Sequence, residues 1–119
     1  MSVLGWIAVG LVGGLAAGAR YLLDTAISKR TESLFPFGIL AVNLLGTFVL
    51  GLVAGSALDG QALVIVAGGA IGSFTTFSTW ILDSHLLARA DLARLAWLNL
   101  TVSIVLGFAA VSLGHAITA

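Results

Sequence analysis

The stretch Gly72-Ser73-Phe74-Thr75-Thr76-Phe77-Ser78-Thr79-Trp80 concentrates the side chains of this protein that could bind or pass something. It holds five hydroxyls and three aromatic rings behind one glycine. It lies within a long apolar run, at the depth where a bilayer holds no water. A hydroxyl there needs a partner, because an unsatisfied polar group in hydrocarbon costs several kcal/mol. Thr, Ser, Phe and Trp are poor to middling helix formers, so a helix is expected to break here. Broken backbone at membrane depth is tolerated only where protein buries it or a polar cavity receives it. The segment reads as the working part of a small membrane protein.

Apart from the span ends, and from Thr101 and Ser112, whose hydroxyls can bond a carbonyl one turn back, the other intramembrane polar residues are Asn43, Thr47, Asn99 and Ser103. None of them is ionisable, and neither are the hydroxyls of the central stretch. A proton-coupled transporter needs a carboxylate or histidine in the membrane, and a divalent-cation pore needs an acidic ring. Neutral donors beside aromatic rings remain. Such donors can replace the water around a small anion without trapping it. Ring edges carry positive partial charge, so an anion can pass edge-on along Phe77 and Trp80. The residues alone point to a pore for a small, strongly hydrated anion. Asn43 has two readings: interhelical glue worth about 1 kcal/mol, or an NH₂ group offering two donors to an anion. Asn99, Ser103 and Gly107 recur every four positions and share a helix face.

The elements that must carry these residues follow from composition. The chain has 119 residues, of which 60% are hydrophobic and 8% charged, and its mean hydropathy is +1.16. A soluble domain carries about 25% charge, so this is an all-α membrane protein. A hydrocarbon core of ~30 Å takes ~20 helical residues to cross, which leaves room for four spans and short loops. We place them at about 3–23, 37–58, 61–87 and 95–116, as one transmembrane domain over 1–119 with the third helix broken near its middle. In the first span Gly10, Gly14 and Gly18 share a face that lets another helix approach closely. Arg20 and Tyr21 close that span, either as a snorkelling arginine and an interfacial tyrosine or with the arginine at the mouth of an anion pathway. Asp83, Ser84 and His85 fall at the far end of the third span.

Other classes are excluded. The chain has no cysteine and a net charge of zero, so disulfides, thiolate metal sites and a nucleic-acid partner are not expected. No GxGxxG, P-loop or HExxH occurs, and His85 and His115 lie near span ends, so no enzyme is expected. The first apolar segment lacks a basic n-region and is not read as a cleaved signal.

The motifs resemble those of the Fluc, or CrcB, fluoride channels over nearly the whole chain. Gly13, Ala16, Arg20 and Tyr21 resemble G-x-x-G-x-x-x-R-Y, with alanine for the second glycine. Gly38, Leu40, Val42, Asn43, Gly46, Phe48 and Gly51 resemble G-T-L-x-V-N-x-x-G-x-F-x-x-G. Gly72, Thr75, Thr76, Phe77, Ser78 and Thr79 resemble G-x-x-T-T-F-S-T-F. Ser103 and Gly107 resemble Y-x-x-x-S-x-x-x-G. The resemblance implies a fluoride-selective channel of the cell membrane that passively exports fluoride and confers resistance to it. It implies an antiparallel, inverted dimer with two fluoride pathways, lined by Asn43, Phe77 and Trp80 and extended by Ser78, Thr79 and Ser103, with Arg20 near a vestibule. It also implies a central sodium ion (Na⁺) at the dimer interface, held by backbone carbonyls carried over to Gly72 and Thr75. Four positions depart from the pattern: Ile39 for threonine, Trp80 for phenylalanine, Asn99 for tyrosine and Asp83 for glutamate.

Two alternatives stand beside this reading. One is a pore-inactive structural subunit of a two-protein fluoride channel. The other is a small multidrug-type exporter, which needs a buried glutamate in its first span; this chain has no acidic residue before Asp24. The charges bear on the partner. With four spans, the side holding both termini and Asp59-Gly60 has no lysine or arginine, whereas the other side has Lys29, Arg30, Arg89 and Arg94. Such a bias should fix orientation with both termini outside. The expected partner is itself or a paralogous subunit in inverted orientation, and the charge bias favours a paralogue of opposite bias.

Overall fold

Ser2 starts the first helix, its hydroxyl accepting the Gly5 N–H at 3.0 Å. The computed structural model describes residues 1–119. Helix α1 (Val3–Thr31) runs for 29 residues, well past the expected end at Leu23. No glycine or proline follows Leu23 until Pro36, and the polar last turns hold themselves: Ser28 Oγ donates to Asp24 Oδ1 at 3.2 Å and Thr31 Oγ1 to the Ile27 carbonyl at 3.0 Å. Pro36 precedes α2 (Phe37–Ala54). That helix stops at Gly55, short of the expected Leu58, where Ser56 turns its hydroxyl back onto the Val53 carbonyl at 2.6 Å.

The third span, Gly60–Arg89, is built in pieces. A first turn α3 (Gly60–Leu63) leads into a π-helical segment, Val64–Ile71. There the ladder widens, and the Gly72 N–H reaches back five residues to the Ala67 carbonyl. A last turn α4 (Gly72–Phe74) ends at Thr75, whose backbone is extended at φ −82, ψ 159. The helix restarts as α5 (Ser78–Arg89). The break thus falls inside the expected stretch, while the π segment before it was not anticipated. Such segments in longer helices are frequent at functional sites. After a tight turn through Asp91 (φ 61), α6 (Ala93–Thr118) completes the chain.

All four spans are long and apolar enough to cross a membrane, and the protein is a multi-pass membrane protein. They alternate in direction. Ser2 donates from both its N–H and its hydroxyl to Gln61 Oε1, at 2.9 and 3.0 Å. Thr118 Oγ1 donates to the Leu52 carbonyl at 2.8 Å. Both termini, the end of α2 and the start of the third span therefore share one end, and Lys29, Arg30, Arg89 and Arg94 cluster toward the other. The longest dimension, 49 Å, matches a bilayer of about 40–45 Å with its headgroups.

Only six hydrophobic residues are buried, while Leu4, Leu11, Leu15, Trp97 and Phe108 are exposed. Lipid tails are as apolar as leucine, so close packing rather than apolar burial must join the helices. Helices α2 and α6 approach backbone to backbone. A Cβ on Gly51 would run into the Val111 carbonyl, and one on Gly114 into the Phe48 carbonyl. In α1 a Cβ on Gly5 would strike the Gln61 side chain, and one on Gly13 would come within 2.9 Å of Ser73 Oγ. Gly10, Gly14 and Gly18 face open space in this subunit. The expected stripe therefore meets no helix of its own chain, because the third span packs on the neighbouring face.

Candidate functional site

The break is held from outside the third span by Asn43. Its Nδ2 donates to the Thr76 carbonyl at 2.9 Å, and its Oδ1 accepts the Thr76 N–H at 2.8 Å. One amide thus replaces both backbone bonds that a continuous helix would have made at Thr76. Asn43 lies mid-way along α2, opposite the break, because Gly46 one turn on has no Cβ. A Cβ there would strike the Thr75 methyl. Thr76 then starts α5: its hydroxyl accepts the Thr79 N–H at 3.3 Å and donates to Thr79 Oγ1 at 3.2 Å.

This arrangement changes what the carbonyls before the break can do. The Thr76 N–H goes to Asn43 and the Thr79 N–H to the Thr76 hydroxyl, so neither reaches its usual acceptor one turn back. The carbonyls of Gly72, Ser73, Phe74 and Thr75 receive no backbone N–H. Uncommitted carbonyl oxygens are the kind of ligand a hard cation takes. Gly72 and Thr75, the residues carried over to the sodium site, are the first and last of the four.

Beside the break lies an open-sided groove of about 430 Å³ between α2, the third span and α6. Asn43, Thr47, Thr75, Thr76 and Ser103 supply its polar lining, and Phe77, Trp80 and Phe108 its aromatic lining. Most of the polar groups already have partners. Thr47 Oγ1 donates to the Asn43 carbonyl at 2.6 Å and Thr75 Oγ1 to the Ile71 carbonyl at 3.1 Å. Two donors remain. Ser103 Oγ is buried and has no partner, and Asn43 has a second N–H beyond the one it gives to Thr76. The rings of Phe77 and Trp80 meet edge to face, with centroids 5.5 Å apart and planes at 71°. Phe77 is 71% exposed and projects from the subunit beside the open side of the groove.

The structure therefore brings together Asn43, Phe77, Trp80, Ser103 and Thr75. It does not place Ser78, Thr79, Gly72 or Arg20 on the groove wall. Ser78 Oγ is 3.5 Å from Thr76 Oγ1, so Ser78 and Thr79 belong to the start of α5. Arg20 is half-buried in α1, with its Nε lacking a hydrogen-bond partner.

Two departures from the expected motifs turn out to touch. The Trp80 indole N–H donates to the Asn99 carbonyl at 3.2 Å, Asn99 Nδ2 donates to Ser84 Oγ at 2.9 Å, and Ser84 Oγ donates to the Trp80 carbonyl at 3.0 Å. The indole N–H is thereby occupied. Ser84 was not singled out from the sequence. Its only signal was its place one turn after Trp80. Thr76 was likewise one hydroxyl among five until Asn43 met its backbone.

Comparison with known proteins adds independent information. A family model described as "CrcB-like protein, Camphor Resistance (CrcB)" matches residues 7–115. A protein of Mycobacterium tuberculosis named "Fluoride-specific ion channel FluC 2" is 40% identical over 115 residues, covering 97% of this chain and 91% of that protein. One of Symbiobacterium thermophilum named "Fluoride-specific ion channel FluC 1" is 38% identical over 120 residues, covering 96% and 97%. A second protein of that organism, "Fluoride-specific ion channel FluC 2", is 41% identical over 108 residues, covering 87% and 88%.

Proposed function

The chain belongs to the CrcB-like family, and from that membership and the groove we propose that it is a fluoride channel of the plasma membrane, an ion channel and not an enzyme. It lets cytoplasmic fluoride leave passively and so confers fluoride resistance. The observation that carries this reading is the unpartnered Ser103 hydroxyl, buried in a groove that it shares with Asn43, Phe77 and Trp80.

A fluoride ion entering the groove gives up water. Ser103 O–H and the free Asn43 N–H offer replacement hydrogen bonds, and hydrogen bonds to a charged group contribute about 1.5–3 kcal/mol each. Neither group carries a charge, so the ion is held weakly enough to leave, as conduction requires. The edges of Phe77 and Trp80 extend the favourable surface with positive partial charge. A larger anion spreads the same charge over more surface and gains less from two point donors. Arg20 supplies a positive charge near the pathway's mouth.

The open side of the groove and the projecting Phe77 call for a second subunit. That subunit is of the same fold and inverted, so that two grooves close at once. The charge bias argues that it is a paralogue of opposite bias and not a second copy. The uncommitted carbonyls from Gly72 to Thr75 face the role of holding a sodium ion between the two breaks, where the ion would offset carbonyl repulsion and brace the dimer. Growth in fluoride of a bacterium stripped of its own fluoride export tests the reading. The chain, alone or with its paralogue, should restore growth, and Asn43→Ala should not. Fluoride sensitivity persisting with every partner supplied would overturn it.

A further inference from the structure

We propose that Ser84 and Asn99, both outside the groove, are positioning residues that hold the Trp80 indole as a fixed, non-donating wall of the pathway. Asn99 is 1% exposed and Ser84 5% exposed, and no other part of the site described above uses either side chain. Buried amides and hydroxyls are costly unless partnered. These two side chains partner each other, and Ser84 Oγ also donates to the Trp80 carbonyl. The Trp80 indole donates to the main-chain carbonyl of Asn99, which the Asn99–Ser84 bond holds in place. The three bonds form a closed ring: Trp80 Nε1 to the Asn99 carbonyl, Asn99 Nδ2 to Ser84 Oγ, and Ser84 Oγ to the Trp80 carbonyl. The ring fixes α5 against α6 at the level of Trp80, and it fixes the indole on α5 by its own N–H. Three consequences follow for the groove. The ring plane of Trp80 is set, which sets its edge-to-face contact with Phe77. Its N–H is turned away from the ion, so the wall offers ring C–H edges and no third strong donor. The Asn99 side chain points at Ser84, which leaves Ser103, one turn further along α6, as the donor of that helix.

The inference rests on the channel reading for its flux test but not for its spectroscopic one. In a background with Trp6→Phe and Trp97→Phe, both lipid-facing positions at 65% and 68% exposure, Trp80 is the sole tryptophan and is excited selectively at the red edge, beyond the absorption of Tyr21. Ser84→Ala and Asn99→Leu should each lower its fluorescence anisotropy, and Ser84→Thr, which keeps the hydroxyl, should restore it. In liposomes, Ser84→Ala should lower fluoride efflux about fivefold, the factor corresponding to loss of one ordinary buried hydrogen bond. In a Trp80→Phe background the same Ser84→Ala change should cost less than about twofold, because the residue being positioned is gone. An equal fall in both backgrounds would show that Ser84 merely stabilises the fold and would overturn the inference. Unchanged anisotropy in Ser84→Ala and Asn99→Leu would overturn it as well. If the unaltered chain passes no fluoride with any partner, or Trp80→Phe passes none, anisotropy alone decides, loss supporting the inference and constancy overturning it; the former result would also overturn the channel reading.

Discussion

Replacing Asn43 by alanine removes two hydrogen bonds, of 2.9 and 2.8 Å, from the backbone of Thr76. Thr76 is 8% exposed, so water cannot easily take the amide's place. Leaving a buried donor and a buried acceptor unsatisfied costs about 1–3 kcal/mol each, or roughly 2–6 kcal/mol if nothing relaxes. The Thr76 N–H has one route of relief, which is to close the break and bond the Gly72 carbonyl one turn back. That route removes a carbonyl from the uncommitted row and carries Thr75 away from its place over Gly46. Either way the open break ceases to be the preferred state. At 1.4 kcal/mol per factor of ten, even a loss of about 2 kcal/mol lowers the population of the intact site about thirtyfold. Fluoride efflux from proteoliposomes, followed with a fluoride electrode, should fall by at least about that factor. The heat needed to destroy the monodisperse size-exclusion peak should fall in parallel. Asn43→Asp should fare no better, because a carboxylate cannot donate to the Thr76 carbonyl and repels an anion in the groove. Efflux within about threefold of the unaltered protein, with unchanged heat resistance, would refute the assignment of Asn43 as the clamp, since a clamp worth 1 kcal/mol already implies more than that.

Four further outcomes are expected. Ser103→Ala should lower fluoride efflux about tenfold, the value of one hydrogen bond to a charged group, with no loss of heat resistance, since the hydroxyl has no partner to lose. Phe77→Ile removes the ring edge but leaves an apolar side chain at the subunit surface, so flux should fall in the electrode assay while size exclusion shows the assembly intact. Gly51→Ala drives a methyl group into the Val111 main chain. Overpacking of this kind costs about 1–3 kcal/mol, visible as a lower temperature of heat-induced aggregation. A reporter fused to the C-terminus should be found on the outer side only, and adding lysines beside Asp59 should shift part of the population to the inner side; equal labelling of both sides in the unaltered chain would remove the charge argument for a paralogous partner.

The break in the third span was legible because its cause is local. Consecutive hydroxyl-bearing and aromatic residues weaken the helix wherever they occur, and their depth in the chain makes that weakness matter. The four spans were legible for the same reason, although their ends were not: nothing in Asp24–Thr31 is apolar enough to count as span, yet nothing there stops a helix. The two readings of Asn43 could not be separated, because a side-chain amide has both groups needed for either. The structure shows that one of its N–H groups serves the break and that Asn43 also lines the groove. The glycine stripe of α1 was legible as a face but not as a contact. Residues four apart drift round a helix, and only the position of the third span decides that Gly13 is covered while Gly10, Gly14 and Gly18 are not. The bond between Trp80 and Asn99 joins residues 19 apart on two helices, so no local pattern could reveal it. Read separately, they were two unrelated departures from a motif; read in the fold, they are parts of one hydrogen-bonded ring.

The most direct measurement is a side-by-side efflux of fluoride and chloride from vesicles holding this chain and its partner. Fluoride should empty from the vesicles while chloride stays inside. Comparable loss of both halides, or retention of both, would contradict the channel reading.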